Sequence, residues 1–348
     1  MKEGANMKKW EFFVAVVIVA LCLCTTAWGE PQRPKDATLD LLGFVPGTPL
    51  QADAEVMGMA LMREYPDWRV RVLASRKGPA GLLEARQQKS ADLFIQLGPW
   101  KAEKVVYTPI FKHLNYERDM AYEAIAPHST RPIHFLVLKD TGLTSVKDLF
   151  SKKFPARIAY DGLGYEIVLR KIGEYYGVTW ADMEAWGCKH VVANPATPTG
   201  ADMMKEKAFN VSVLYSDAPN PLLLDVNETA SLRMLPLEEG LRNFLVEQLG
   251  FVKTVLPKKT YKFLESDYVT VRQEASLCAV MGKVSDAMAY YICKGLWNQR
   301  KFIATESRTL AETLVVENIE GWSRALADQD LKLHPGAFNY YHDQGWIK

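Results

Sequence analysis

The 348-residue sequence predicts an α/β fold with two lobes, a central cleft and two strands that cross between the lobes. Strand-like and helix-like segments alternate near residues 39–98 and again near 156–217. This alternation is typical of βαβ units and a parallel sheet. Each block has a glycine turn directly after its first strand. Two extended runs, "RPIHFLVLKD" and "VTVRQEASLCAVMGK", lie where the chain must pass between the blocks.

The first block predicts three strands and two helices. "TLDLLGFV" is a strand, the turn "PGTPLQAD" follows it, and "AEVMGMALMREY" is a helix. "WRVRVLA" and "ADLFIQLG" are further strands, separated by the turn "SRKGPA" and the helical "GLLEARQQK". We expect residues 99–120 to be irregular. "AYEAIAPH" and "PIHFLVLKD" are then predicted as two separate strands.

The second block repeats this architecture without repeating the sequence. A short helix "SVKDLF" precedes the strand "ARIAY", a glycine turn and a helix, and the strands "KHVVA" and "VSVLYSD" flank "GADMMKEKA". Helices on "DAMAYYICKGLW" and "ENIEGWSRALAD" are expected to return to the first lobe. The predicted lobe one comprises residues 37–132 and 275–348, and lobe two comprises 133–274.

The N-terminal residues 1–29 predict a signal peptide. Met7-Lys8-Lys9 precedes an uncharged apolar run from Phe12 to Cys24, and Ala27-Trp28-Gly29 offers a cleavage site before Glu30. An uncleaved membrane anchor is the alternative, although the run is short for a membrane span. We expect cleavage after Gly29, a short leader at 30–36 and a mature protein outside the cytoplasm.

Composition limits the partners of the mature chain. Without residues 1–29 the sequence holds 39 basic and 39 acidic residues, so no basic surface indicates nucleic acid. Cys188, Cys278 and Cys293 allow one disulfide at most, and no CxxC pair or clustered histidines indicate a metal. Cys188 and His190 share a strand face, but serine-elbow, zinc-protease and P-loop motifs are absent. We therefore predict a small-molecule ligand, no cofactor and no enzymatic activity.

The two turns of the first block supply candidate ligand-binding residues. At the first turn, the backbone N–H groups of Gly47 and Thr48 and the Thr48 hydroxyl are suited to a carboxylate. A helix cap without ligand is the alternative for this turn. At the second turn, Ser75 and Arg76 end a strand, and Arg76 is suited to a bidentate pair with an anion. The alternative for Arg76 is a solvated arginine.

The second block supplies the opposing candidates. A strand, a glycine turn and a helix start aim free N–H groups at one point, although a plain strand-to-helix connection is equally compatible with the pattern. We expect a side chain at Gly164 to crowd the closed cleft and to require a positive φ. Asp217, at the end of a strand, suits an amino group or an Asx turn before Pro219. The candidates in this block are Gly162, Gly164, Tyr165, Ser216, Asp217 and Asn220.

The order of several motifs resembles the TAXI group of solute receptors, the binding subunits of tripartite (TRAP-type) secondary transporters. The ending "LHPGAFNYYHDQGW" at 333–346 is similar to the ending of that family. "SVKDLFSKKFPARIAYDGLGYEIVLRKIGEYYGVT", "LASRKGPAGLLEARQQKSADLFI" and "YSDAPNPLLLDV" resemble further segments, in the family's order, over roughly residues 40–346. The resemblance implies the two-lobe periplasmic binding protein fold with two hinge-crossing strands.

The resemblance also implies a function. The protein would capture a small organic acid or amino acid in the periplasm and deliver it to membrane permease subunits. A receptor for a sensor system and a secreted α/β enzyme are the alternatives. The first turn, "GFVPGTPLQADAEVMG", lacks the tyrosines usual in the family, and the turn at 162–165 reads Gly-Leu-Gly-Tyr where Gly-Ser-Gly-Thr is usual. The identity of the solute therefore does not carry over.

Overall fold

The computed structural model describes residues 30–75, 79–96 and 98–348. The predicted signal peptide, residues 1–29, lies outside the described residues. Pro34–Lys348 forms one compact unit. The predicted leader, residues 30–36, contains neither helix nor strand.

The first part of the chain builds three short strands and four helices. They are β1 (Thr38–Leu42), α1 (Pro49–Glu64), β2 (Arg69–Leu73), α2 (Pro79–Gln88), β3 (Leu93–Ile95), α3 (Trp100–Tyr107) and α4 (Tyr116–Asp119). The first crossing strand follows as β4 (Tyr122–Leu138).

The middle of the chain alternates helices and strands and ends on the second crossing strand. Its elements are α5 (Val146–Ser151), β5 (Arg157–Tyr160), α6 (Leu163–Tyr175), α7 (Trp180–Ala185), β6 (Lys189–Val192), α8 (Pro198–Lys205), β7 (Val211–Tyr215), α9 (Pro221–Thr229), β8 (Leu232–Met234), α10 (Glu239–Leu249), β9 (Val252–Leu256) and β10 (Tyr268–Val280).

The C-terminal part is mainly helical. It comprises α11 (Asp286–Asn298), α12 (Arg300–Glu306), α13 (Arg308–Thr313), α14 (Val316–Asp328), β11 (Lys332–Leu333) and α15 (Pro335–Asp343). Two 3₁₀ turns lie at Lys139–Thr141 and Lys258–Thr260.

The strands form one sheet in the order β2-β1-β3-β10-β4-β7-β5-β6. Its centre is the antiparallel pair β4 and β10, with Arg272 opposite Pro132 at one end and Val280 opposite Tyr122 at the other. The sequence predicted two strands where β4 runs unbroken, because Pro127 and Pro132 lack the N–H that a ladder needs. The pair accommodates Pro127 through two bulges on β4, where His128 and Ile125 have no partner on β10.

The buried side chains around this sheet form three hydrophobic clusters, which belong to two separate parts of the protein. The first cluster draws on residues 37–126 and 277–347, and the second and third draw mainly on residues 133–271. We call the body around the first cluster lobe one and the body around the other two lobe two. The crossing strands join the lobes, which confirms the predicted fold class. The lobe limits at 132/133 and 274/275 stay a prediction.

Residues 99–120 differ from the irregular segment that the sequence predicted. They contain α3 and α4, and the rings of Trp100 and Tyr116 stack with centroids 5.3 Å apart. Trp100 belongs to the first cluster, whereas Ala102 packs in the second cluster. Helix α3 therefore contacts both lobes, and this long-range packing leaves little trace in the local sequence pattern.

Among the described residues, no helix combines the length and the apolar character that crossing a membrane would require.

Candidate functional site

The first glycine turn of lobe one is closed by its own side chains. Gly47 has a φ of +81°, and Thr48 is the N-cap of α1, followed by Pro49. The Thr48 hydroxyl donates to the Val45 carbonyl at 2.6 Å and accepts from the Gln51 N–H at 3.4 Å. The hydroxyl that was a candidate carboxylate ligand therefore serves the helix cap.

Gln51 fills the interior of this turn. Its Oε1 accepts from the Phe44 N–H at 3.0 Å, and its Nε2 donates to Glu55 at 2.9 Å. A Cβ added to Gly43 would lie 2.2 Å from the Gln51 Oε1, so a larger residue at this position would displace the Gln51 side chain. Gln51 was missed in the sequence, where it reads as an ordinary helical residue.

The second turn of lobe one begins at Ser75, which is buried. The Ser75 N–H donates to the Phe44 carbonyl at 3.0 Å and so ties the second turn to the first. Arg76, the predicted anion ligand, lies outside the described residues.

The glycine turn of lobe two is more open. Gly162 has a φ of +98° and forms the N-cap of α6 without a side-chain cap. Gly164 lies inside the first turn of α6, and the Tyr215 hydroxyl donates to its carbonyl at 3.0 Å. The expected positive φ at Gly164 is wrong, because the left-handed residue is Gly162. A Cβ added to Gly164 would meet nothing within 4 Å, so a single added carbon crowds no neighbour.

Tyr165 packs on Tyr215, with ring centroids 4.8 Å apart. Burial raises the pKa of Tyr165, while the positive charge of Arg131 acts in the opposite direction. The phenol therefore stays neutral at physiological pH and is suited to hydrogen bonding or stacking.

Ser216 and Asn220 stabilise the start of α9. Asn220 Oδ1 accepts from the N–H groups of Leu222 and Leu223 at 2.9 and 3.4 Å. Asn220 Nδ2 donates to Ser216 Oγ at 2.8 Å, and Ser216 Oγ donates to the Asp217 carbonyl at 3.0 Å. This cap occupies the polar side-chain atoms of Ser216 and Asn220, whereas the exposed Asp217 carboxylate takes no part in it.

Arg131, on the crossing strand β4, is a functional candidate that the sequence analysis missed. Its Nε donates to Asp217 Oδ1 at 3.3 Å, and its side chain is 18% exposed. Burial acts to raise the pKa of Asp53, but His128, Ser307 and the charge of Arg131 outweigh it, so this pKa is lowered. Arg131 therefore interacts with both lobes: it donates a hydrogen bond to Asp217 of lobe two, and its charge contributes to the lowered pKa of Asp53 in lobe one. Its only sequence signal is a cation at the start of the extended run "RPIHFLVLKD".

The crossing strands present different residues on their two faces. Arg131 lies opposite Gln273 in the register, so both point to one face. Thr130 opposite Glu274 and Pro132 opposite Arg272 occupy the other face. Each face borders a cavity.

The cavity on the Gln273 face has a volume of about 80 Å³, and the cavity on the other face has about 540 Å³. Both are lined by residues of lobe one, lobe two and the crossing strands. The small cavity is bounded by Leu82, Leu83, Arg86, Phe94, Gly98, Pro99, Ala102, Glu103, Val106, Tyr107, Gly164, Ile167, Tyr215 and Gln273. Charged residues of the large cavity are Asp217, Arg272, Glu274, Arg308, Glu312 and Glu317.

The predicted candidates are not gathered into one of these cavities. Gly164 lines the small cavity, and Asp217 and Asn220 line the large one. The other described candidates line neither of the two; they are Gly47, Thr48, Ser75, Gly162, Tyr165 and Ser216.

Cys188 and His190 do not contact each other through a hydrogen bond. Cys188 Sγ donates to the Phe154 carbonyl at 3.2 Å, and burial raises the pKa of its thiol. The ring of His190 stacks on Tyr160 with centroids 3.6 Å apart. A thiol held protonated in this way is a poor nucleophile. Within the described ranges, no three His, Cys, Asp or Glu residues come together as a possible metal site.

Solved structures of binding proteins are similar to this chain. MatC from Rhodopseudomonas palustris with bound malate matches at a TM-score of 0.52 and 12% identity, over 89% of this chain and 98% of that chain. A TctC solute-binding protein from Polaromonas matches at 0.49 and 12%, over 89% and 95%. The sulfonate-binding protein SsuA from Methylobacillus flagellatus matches at 0.49 and 12%, over 90% and 98%. The likeness to MatC supports the mixed α/β fold of periplasmic binding proteins.

Sequence comparison places the chain in a family. No curated protein sequence matches it. The family model of the NMT1-like family matches residues 56–345, which is most of the chain and includes most of both lobes. The chain belongs to the NMT1-like family.

Proposed function

We propose that this protein is an extracytoplasmic solute receptor that binds a small organic acid or amino acid between its lobes. The observation that carries the proposal is the position of Arg131 on a crossing strand, where its guanidinium meets Asp217 of lobe two. Cavities on both faces of the crossing strands have walls from both lobes. A solute held there is shared by two bodies joined at a hinge, which couples binding to closure.

Arg131 has unused hydrogen-bonding capacity. Within the described part of the chain, only its Nε makes a hydrogen bond, so Nη1 and Nη2 remain available. A guanidinium with two free donors recognises a carboxylate in a bidentate manner. Asp217 is suited to a cationic group of the same solute, which accommodates an amino acid as well as an acid.

We further propose that the receptor belongs to the TAXI group and serves a TRAP-type transporter. The order of the motifs over residues 40–346 and the ending at 333–346 support this assignment. Export through the signal peptide at residues 1–29 places the mature chain in the periplasm, where permease subunits in the membrane receive the solute. The raised pKa of Cys188 argues against a cysteine-dependent secreted enzyme.

Isothermal titration calorimetry of the mature protein with a panel of carboxylates and amino acids tests the proposal. At least one solute should bind, and Arg131→Gln should weaken it by about 1.5–3 kcal/mol through loss of a charged hydrogen bond. Arg71→Gln is the matched control, because Arg71 pairs with Asp40 on the exposed surface of lobe one. Equal affinity in the wild type and Arg131→Gln would exclude a site at the crossing strands.

A further inference from the structure

We infer that the 80 Å³ cavity is a subsite for the branched aliphatic part of a monocarboxylate, whose carboxylate is held at Arg131. This inference rests on the proposed function and adds a class of solute to it. Three observations support it: the cavity walls are mainly apolar, the charged residues of the wall pair with each other, and Gln273 lies between the cavity and Arg131.

The cavity walls are mainly apolar and come from both lobes. Lobe one contributes the buried Leu82, Leu83 and Phe94, together with Val106 of α3. Lobe two contributes Gly164, Ile167 and Tyr215. An aliphatic group that fills this space contacts both lobes, and each buried methylene should tighten binding about fourfold.

The charged residues of the wall neutralise each other. Arg86 is 2% exposed, and its Nη1 donates to Glu103 Oε2 at 2.9 Å. The guanidinium carbon also lies 4.3 Å from the ring centre of Tyr122. A second carboxylate in the cavity would face Glu103, so the wall disfavours a dicarboxylate.

One polar atom of this wall has no partner. Nε of Arg86 makes no hydrogen bond within the described part of the chain. A dicarboxylate whose second carboxylate accepts a hydrogen bond from this N–H group is the competing occupant, so the experiment includes succinate.

The crossing strands connect the cavity to Arg131. Gln273 lines the cavity and lies directly opposite Arg131 on the same face, where cross-strand Cβ atoms are about 5 Å apart. Arg131 does not itself line the cavity, so the inference requires a solute whose carboxylate and tail are joined by a short carbon chain that passes Gln273. Since about 150 Å³ accommodates benzene, the volume suits a tail of about three or four carbons.

Calorimetry of the mature protein with 4-methylpentanoate, acetate and succinate tests the inference. We expect 4-methylpentanoate to bind about 50- to 200-fold more tightly than acetate, because three or four more of its carbons are buried, and more tightly than succinate. Val106→Phe should fill the cavity and bring the ratio of the 4-methylpentanoate and acetate affinities to within about threefold. Val105→Phe is the matched control, because Val105 is the exposed neighbour on α3 and does not line the cavity; it should keep the ratio.

The outcomes separate the inference from the proposed function. If solutes bind and Arg131→Gln weakens them, but Val106→Phe leaves the ratio unchanged, the subsite is refuted and the receptor function stands. Tighter binding of succinate than 4-methylpentanoate would assign the cavity to a dicarboxylate and overturn the inference. Should Val106→Phe fail to fold, Gly164→Val fills the same cavity from lobe two, where an added Cβ meets nothing within 4 Å. Binding of no acid or amino acid would refute both proposals.

Discussion

The two glycine turns that the sequence presents as equivalents differ in how their polar groups are used. In lobe one, the side chains of Thr48 and Gln51 form hydrogen bonds with the backbone groups of the turn. In lobe two, Gly162 starts α6 without a side-chain cap, and Gly164 faces open space. The comparison indicates that the first turn contributes mainly to stability, whereas the second has backbone and space available for a solute.

A buried network beneath the first turn strengthens this contrast. Asp53 of α1 accepts from the Ser307 hydroxyl at 2.6 Å, and its other oxygen lies 3.2 Å from His128 Nε2. His128 and Asp53 are both buried, and the network joins α1 to β4 and to the start of α13. The helix that carries the first turn is therefore fixed by polar contacts.

The largest effect should follow from breaking that network. Asp53→Ala leaves His128 and the Ser307 hydroxyl buried without their carboxylate, which should reduce the free energy of unfolding by about 3 kcal/mol. Denaturant unfolding measures this loss of stability. Glu320→Ala is the control, because Glu320 forms an exposed ion pair with Arg324. If Asp53→Ala reduced the free energy of unfolding no more than Glu320→Ala does, the buried network would not stabilise the helix that carries the first turn.

The next prediction concerns His134, in the part of β4 that belongs to lobe two, and the pH dependence of stability. His134 is buried between the Pro132 carbonyl and the Tyr261 hydroxyl, and burial lowers its pKa from 6.5 to about 4. The neutral imidazole is favoured by folding, so its contribution is complete above pH 6.5 and is lost as the pH falls toward 4. The free energy of unfolding should fall by up to about 3 kcal/mol over this range. The pH dependence should be shallower in His134→Gln, and equal pH profiles would refute this assignment.

The two glycines of the second turn should respond in opposite directions. Gly162→Ala places a side chain at a φ of +98° and should cost about 1–2 kcal/mol. Gly164→Ala adds a Cβ in open space within a helix and should stabilise by up to about 1 kcal/mol. Thermal unfolding of both variants measures the difference. Equal destabilisation would mean that the turn is as tightly packed as the one in lobe one.

Thr48→Ala should have a comparable or smaller effect, confined to stability. Loss of the helix cap should cost about 1 kcal/mol in the free energy of unfolding. Solute affinity should change by less than about twofold, because the hydroxyl is already bonded within the turn. A tenfold loss of affinity at unchanged stability would instead assign the Thr48 hydroxyl to the solute.

The fold was predictable from the sequence, since alternation, glycine turns and crossing runs are local patterns. Long-range packing was not. Helix α3 is short, lies in a segment with scattered aromatic residues, and is placed by contacts with both clusters. The prolines of β4 suggested two separate strands, but bulges at Ile125 and His128 of β4 let one strand run past Pro127.

The candidate site was less predictable than the fold. Thr48 and Asn220 are strong polar signals in sequence, yet helix capping uses the same residue types at the same positions as ligand binding. The sequence around Arg131 shows only a cation in an extended run, because the relation of Arg131 to Asp217 exists only once β4 and β7 lie side by side.

A crystal structure of the mature protein with a solute identified by calorimetry tests the central claim most directly. The account predicts the solute between the lobes, with its carboxylate bonded to the Arg131 guanidinium and with contacts to residues of both lobes. A solute bound on the outer surface of one lobe, away from the crossing strands, would contradict it.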